Sequence, residues 1–240
     1  MESPVTNRLL SALSDASRDR ILARSTAVSL PLKFSFYGAG ESPTYAYFIT
    51  SGLASIVMNT SDGGSAEVSL VGYEGFVGAF HLLGPAVAPL SAFMQVEGTG
   101  IRVLFADLKV LFRGCDEITE QILEFTQAQM LTISNTAGCN LLHQAEARLA
   151  RWLLTADDRT RSNGLSLTQE FLGIMLGVRR TTVNFVVSAL EARGLIQTVR
   201  GHITIVDRAG LEKAACDCYQ VTRRLQDGLY KSHSSLCVAR

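Results

Sequence analysis

"LGIMLGVRRTTVNFVVSAL", residues 172–190, keeps the apolar rhythm of a helix but is interrupted at Gly177 and then becomes polar on one side. Two helices joined by a tight turn account for the interruption. Gly177 is then the turn residue, in the left-handed backbone conformation that is cheap only for glycine. Gly173 is small enough to let the second helix cross closely over the first. Leu172, Leu176, Val178, Val183 and Val186 point inward between the two. This is the spacing of a helix-turn-helix. Ser166 or Thr168 can cap the first helix, with Ser166 and Gln169 at capping-box spacing, and Gly194 supplies the stop for the second.

The polar residues fall where such a motif needs them. Arg179, Arg180, Thr181, Asn184 and Phe185 lie on the outward face at the start of the second helix. In the major groove of DNA an arginine can grip guanine bidentately, and Thr or Asn can reach base edges or phosphates. The next segment, "GLIQTVRGHITIVD", alternates apolar and polar positions about Arg200–Gly201 and reads as a hairpin, a wing that sets Arg200 and His202 toward the DNA backbone. Arg180 is the expected base reader, with Arg179, Thr181, Thr182 and Asn184 beside it; Thr168, Gln169 and Arg200 are expected phosphate contacts. A helical hairpin with an exposed basic end is the competing reading.

The charge distribution agrees with a polyanionic partner at this end of the chain. The formal net charge is zero, but residues 1–143 carry 8 Lys/Arg against 13 Asp/Glu, and residues 144–240 carry 14 against 9. Charge separation of this kind points to two domains with different partners. No signal peptide is recognisable. The most apolar stretch, 76–94, contains Pro85, Pro89 and two glycines and reads as turns and strands, so a cytoplasmic protein with no membrane contact is expected. Five scattered cysteines, at 115, 139, 216, 218 and 237, suit a reducing compartment better than a disulfide framework.

Between residues 28 and 113 short β-rich runs ("AYFIT", "LASIVMN", "AEVSLVG", "AFMQVEG", "IRVLF") alternate with Gly, Pro, Asn, Asp and Ser turns, "SDGGS" at 61–65 being the clearest hairpin. Such spacing indicates an antiparallel sandwich, jelly roll or barrel. Residues 116–143 read as one long helix, with Ile118, Ile122 and Phe125, then Met130 and Ile133, at helical spacing. From Phe125 to Ala145 there is no Asp, Glu, Lys or Arg. A helix with one wet face normally carries charge there, so this one is expected to be covered on more than one side: by its own sheet and by the same helix of a second copy. Burial within one chain is the alternative. "AEARLARWLLT", 145–155, is an amphipathic helix that "DDRTRSNG" is expected to end.

Taken together, "SGLASIV", "VGYEGFVGAFHLL", "ARLARWLL" and "LTQEFLGIMLGVRRTTVNFVVSALEARGLI…RGHITIVDRAGLE" resemble the Crp/Fnr superfamily of bacterial transcription regulators over about residues 28–212. The resemblance implies an α+β fold: an antiparallel β-roll or jelly-roll sensor, a long dimerisation helix and a C-terminal winged helix-turn-helix. It divides the chain into a helical segment (1–27), the β-roll (28–115), the dimer helix (116–143), the winged domain (144–210) and an extension (211–240). It implies a homodimer reading a two-fold-symmetric operator, with RNA polymerase as a further partner and an effector pocket at the β-roll around Gly78, Ala79, Phe80, His81 and Ser91. A ligand-independent regulator with the β-roll as scaffold, and a sensor acting through protein contacts, are the alternatives.

Departures from the family pattern narrow the signal. Cyclic-AMP receptors of this family have a Gly-Glu pair followed by a buried arginine in the phosphate cassette. Here Ala79 follows Gly78, and 84–92, "GPAVAPLSA", has no arginine. A cyclic phosphate buried without a cation is strongly disfavoured, so a cyclic nucleotide is not expected. Residues 1–114 contain no cysteine, which argues against the iron–sulfur centre of the oxygen sensors. His81 alone in an apolar run is a weak haem ligand. Where relatives often show Arg-Glu-x-x-x-Arg, this chain has Arg180 to Phe185 with no glutamate and no second arginine, so a different operator is expected. "CDCY" at 216–219 lacks an obvious second ligand pair, His143 reads as packing or capping, and no metal or other cofactor is expected. No Ser-His-Asp, paired-carboxylate or P-loop pattern supports an enzyme.

Overall fold

A buried asparagine fixes the first described helix. Asn7 caps α1 (Arg8–Ala12) by accepting from the Leu10 amide, and its Nδ2 donates to the carbonyls of Ile49 (2.8 Å) and Gly75 (2.7 Å), which pins the helix to the sheet behind it. The computed structural model describes residues 7–61, 64–84, 89–160, 165–166 and 169–231, with only the backbone described at 165, 166, 169 and 170. After α2 (Asp15–Leu22) come β1 (Ser25–Leu30), β2 (Ser35–Tyr37), β3 (Tyr45–Asn59), β4 (Ser65–Val71), β5 (Phe76–Val77), a 3-10 turn at Ala79–Leu82, and β6 (Leu90–Leu104). They form one antiparallel sheet in the order β1-β6-β3-β4, with β2 joined to β6 and β5 to β3.

The strands are fewer and longer than the turn residues suggest. "AYFIT" and "LASIVMN" are one 15-residue strand, and "AFMQVEG" and "IRVL" are another. The Ser-Gly and Gly-Thr-Gly positions that look like breaks are absorbed as register shifts between Ile49 and Ala54 against β6. Such irregularities bend paired strands without ending them, which curls the sheet into a roll. At the β3–β4 end the Thr60 amide donates to the Gly64 carbonyl at 2.8 Å; residues 62 and 63 of "SDGGS" lie outside the described residues.

Phe105 leaves the strand and starts α3 (Phe105–Gly114), followed by the 27-residue α4 (Asp116–Leu142). Three residues expected at a dimer interface, Ile118, Ile122 and Phe125, are fully buried against the chain's own sheet. The sheet's apolar face requires a cover, and α4 supplies it. Phe125 packs on Phe76 (5.7 Å between centroids), itself stacked on Phe48 (5.1 Å). A Cβ at Gly75 would come within 2.0 Å of the Phe125 ring, so only glycine lets the helix approach this closely. Of the other two expected residues, Met130 is 56% exposed and Ile133 is half-buried. The exposed stripe on α4 is Leu123, Gln127, Met130, Ser134, Ala137 and Leu141, at alternating spacings of four and three.

α5 (Ala145–Thr160) runs past the predicted stop at Thr155. "DDRT" stays helical because its charges find partners: Asp157 and Asp158 pair with Arg208 (2.6 and 2.5 Å), and Arg159 donates to the Leu70 carbonyl (2.7 Å) beside Glu74 (3.5 Å). Then follow β7 (Leu165–Ser166), α6 (Gln169–Leu176), α7 (Arg180–Ala192), β8 (Ile196–Val199), β9 (His202–Ile205), α8 (Arg208–Ala214) and α9 (Cys218–Gly228), the short strands pairing as β7-β9-β8. Past α9 the chain returns to the roll: Leu229 joins its core, and the Tyr230 hydroxyl donates to the Glu74 carbonyl at 2.6 Å. No described helix is long and apolar enough to cross a membrane.

α5 belongs to both halves of the molecule. Leu149, Trp152, Leu153 and Leu154 share one core with Leu53, Leu70 and Val96 of the roll and with Leu172, Leu176, Val183 and Leu190 of the winged half. At the contact the buried Glu67 carboxylate accepts from the Trp152 indole (2.6 Å) and the Ser55 hydroxyl, with Arg151 and Arg159 nearby. Burial outweighs these partners and pushes the Glu67 carboxyl up from 4.5 to about 7. Between those values the folded chain keeps a proton that the unfolded chain has released. The contribution of Glu67 to stability is therefore complete below that window and declines as pH rises through it. Trp152 is the chain's sole tryptophan. Its fluorescence should titrate with a midpoint near 7, and Glu67→Gln, which keeps the shape and one acceptor oxygen but cannot titrate, should abolish that transition; a transition that persists in the variant would refute this.

Candidate nucleic-acid interface

The helix-turn-helix is set by α6 and α7. Gly177 has φ +62°, and the Val178 amide donates to the Gly173 carbonyl at 3.1 Å, which closes the turn. A Cβ on Gly173 would stand 3.2 Å from the Val178 carbonyl oxygen, so a larger residue there would require the turn to give by a few tenths of an ångström. Leu172, Leu176, Val183 and Val186 are buried between the helices, and Val178 packs at their edge. α5 holds the pair from behind: Arg148 donates to the Leu176 carbonyl at the end of α6, and Arg193 after α7 pairs with Glu146 at 2.6 Å.

Arg179 is the N-cap of α7, its carbonyl accepting from the amides of Thr182 (2.9 Å) and Val183 (3.1 Å). Arg179, Arg180, Thr181, Asn184 and Phe185 are exposed and Thr182 is half-buried, so the polar face lies at the outward start of the second helix. Phe185, 73% exposed, adds an apolar contact to that face. In the wing, Val199 pairs with His202, and Arg200 (φ +50°) and Gly201 (φ +80°) form the two-residue loop. Two successive left-handed residues match the right-handed twist of a hairpin. Arg200 is exposed at this tip. Gly194 has φ +68° after α7, as a terminating glycine should. Gln169 opens α6; Thr168 lies outside the described residues.

The β-roll comes close to this motif. Ser65, at the start of β4, lines one open cleft with Gly173, Ile174, Gly177, Val178, Arg179 and Arg180. On the roll itself, Gly78, Ala79, Phe80 and His81 lie on and just before the 3-10 turn, whereas Ser91 is on β6 and accepts from Asn59 Nδ2 at 3.0 Å. His81 is buried edge-on between Tyr37 (4.8 Å) and Phe105 (6.3 Å). Burial lowers its pKa, opposed by the Glu41 backbone and aided by Lys109, which disfavours the charged imidazole. Arg102 lies over the Tyr45 ring at 4.6 Å. Residues 85–88 of the expected phosphate segment are outside the described residues.

Two features escaped sequence reading. One is the Glu67–Trp152 contact, whose partners are 85 residues apart. The other is a group of cysteines. Cys139 and His143, one turn apart at the end of α4, are gathered against Cys216 and Cys218 of "CDCY". Their spacing of four on a helix was the available signal.

Comparison with known proteins follows the same lines. Residues 147–214 match the Crp-like helix-turn-helix domain. Over 195 residues, 78% of this chain and 87% of the relative, the sequence is 24% identical to a CRP-like cAMP-activated global transcriptional regulator of Mycobacterium tuberculosis. The fold is similar to that of the c-di-GMP responsive global regulator CLP of Xanthomonas campestris (TM-score 0.66, 18% identity, 80% of this chain and 99% of that one). It is likewise similar to FixK2 of Bradyrhizobium japonicum (TM-score 0.65, 20% identity, 80% and 98%). A sheet roll, a long helix and a helix-turn-helix with its polar face outward are thus joined in one known arrangement: residues 147–214 form a Crp-like helix-turn-helix domain, and the chain as a whole is similar to transcription regulators of the Crp/Fnr type.

Proposed function

We propose that two copies of the chain bind one two-fold-symmetric operator, and that Arg180 is the main base reader. The observation that carries this is the exposed polar start of α7, presented by a turn whose glycines and buried apolar residues are all in place. Arg179, Thr181, Thr182 and Asn184 flank Arg180 on that surface, Phe185 suits a thymine methyl group, and Arg200 at the wing tip suits a phosphate. Gln169 and Thr168, where the first helix begins, are assigned to the DNA backbone. The regulators named above are transcription factors, and an enzymatic role has no support in this site.

The pairing surface we assign is the exposed stripe of α4, Leu123 to Leu141, not the Ile118–Phe125 face that covers the roll. Its four–three spacing without charge is that of a two-stranded helical seam. In this reading residues 28–115 form the sensor, 116–143 the dimer helix and 144–210 the reader, with the extension tying them together. A signal at the roll would be transmitted through α5, whose apolar side is shared by both halves. The Mycobacterium relative is described as cAMP-activated. This roll has Ala79 buried after Gly78, no arginine at 84–92, and Arg102 over Tyr45. We therefore assign it a signal other than an arginine-held cyclic phosphate.

On a chosen operator, Arg180→Ala should cost about 1–3 kcal/mol and relax sequence preference, whereas Arg200→Ala should weaken all sequences alike and lower the salt slope by about 1. Fluorescence anisotropy against matched and scrambled duplexes separates the two; equal losses on both duplexes for Arg180→Ala would remove it as a base reader. Met130→Glu with Leu141→Glu should convert the dimer to a monomer in sedimentation and reduce operator binding. A dimer unaffected by both changes would place the interface elsewhere. Cyclic AMP should leave the native affinity unchanged, and a marked gain would overturn that part of the reading.

A further inference from the structure

The geometry points to a metal site, independent of the DNA-reading face, in which Cys139, His143, Cys216 and Cys218 bind one zinc ion. Cys139 and His143 end α4, and Cys216 and Cys218 flank the start of α9. Their four ligand atoms all lie within 4.8 Å of one another. Cys139 Sγ is 3.4 Å from Cys216 Sγ, and Cys218 Sγ is 3.6 Å from His143 Nδ1. Bonds of about 2.3 Å to sulfur and 2.0 Å to nitrogen place the corners of a tetrahedral zinc site roughly 3.5–3.8 Å apart. Small side-chain adjustments therefore suffice.

The surroundings match the donor set. His143 turns Nδ1 to the thiols and Nε2 to Asp217 Oδ1 at 3.5 Å, the carboxylate–histidine arrangement that fixes a ligating imidazole. The three cysteines are buried, so the metal would be shielded from water. Binding transfers three thiol protons to solvent, and zinc with three thiolates carries one net negative charge. Arg148 and Arg151, both buried and each with an Nε that has no hydrogen-bond partner among the described residues, act electrostatically on Cys139 and balance that charge. Three thiolates and an imidazole in tetrahedral disposition select zinc among common divalent ions. An iron–sulfur cluster does not fit, because its thiolates ligate different irons and must stand farther apart than these do.

The ion would join the end of α4 to the α8–α9 segment, beside the α4–α5 connection at His143–Gln144. Without it the same elements are held by Asn135, whose Nδ2 donates to the Cys218 carbonyl (3.0 Å) and to Thr222 Oγ1 (3.2 Å). Ligand variants therefore retain a contact between these elements, which circular dichroism and thermal melting can verify.

The test uses the full chain, reduced, stripped with a chelator and titrated with Co²⁺ as the spectroscopic probe. One equivalent should give the visible bands of a tetrahedral site and a thiolate charge-transfer band, and one equivalent of Zn²⁺ should remove them. Cys216→Ser and His143→Ala should each lose or visibly change these bands, and Cys115→Ser should leave them intact. Asp217→Asn, which keeps every ligand, should weaken zinc binding by about 10–100-fold. Absence of stoichiometric Co²⁺ binding, bands unchanged in Cys216→Ser, or a Cys139–Cys216 disulfide in protein isolated without oxygen would each overturn the proposal. None of these readouts involves DNA, so failure here leaves the operator reading untouched, and the reverse also holds.

Discussion

The structure depends on one helix having no free apolar side. α5 contributes Leu149, Trp152, Leu153 and Leu154 to a core whose other members come from the β-roll and from the helix-turn-helix. Burial at roughly 25 cal/mol per Å² of apolar surface gives such a shared core a large part in holding the halves in one relative setting. Its polar contacts are sensitive. Glu67 is buried with an indole, a hydroxyl and nearby guanidiniums around it, and Arg159 with Glu74 forms a buried ion pair at the same joint. Buried charges of this type add little net stability but penalise any arrangement that separates them. A shift of the winged half relative to the roll must break or replace both contacts, which favours discrete settings over gradual ones.

This joint gives a physical path from the roll to the DNA-reading face. Ser55 and Glu67 are on β3 and β4, Trp152 is on α5, and Arg148 of α5 holds the end of α6, one residue before the turn glycine. The β3–β4 hairpin also approaches the turn directly, with Ser65 across a cleft from Gly177 and Arg180. The return of the tail to the roll, through Leu229 and Tyr230, fastens the far end of the winged half to Glu74 and Glu124. An operator and a signal that prefer different settings of this joint would be coupled through it, each altering affinity for the other by the same factor.

How much of this was legible in the sequence depended on how local each feature is. The helix-turn-helix could be read residue by residue because its determinants, Gly173, Gly177 and the apolar positions around them, sit within one short stretch. The wing loop at Arg200–Gly201 was legible for the same reason. The strands were mis-segmented because glycine and serine mark bulges as well as turns, and only the partner strand decides between them. The face of α4 was misassigned in part: periodicity locates an apolar stripe, but not whether a sheet or a second chain covers it. The burial of Phe125 needed Gly75 and Phe76, about fifty residues earlier, to be explained. The extra turn of α5 depended on Arg208, and the assembly of Cys139 with Cys216 on a separation of 77 residues; neither partner could be assigned from spacing alone.

The most direct test of the central claim is selection of bound sequences from a random pool of DNA duplexes by the purified full chain. The account predicts a consensus of two inverted half-sites whose centres are about one helical turn, 10–10.5 base pairs, or a multiple of it, apart. Loss of the second half-site should greatly reduce affinity. Recovery of no consensus, or of a single asymmetric site bound by one chain, would contradict a dimer that reads DNA through the start of α7.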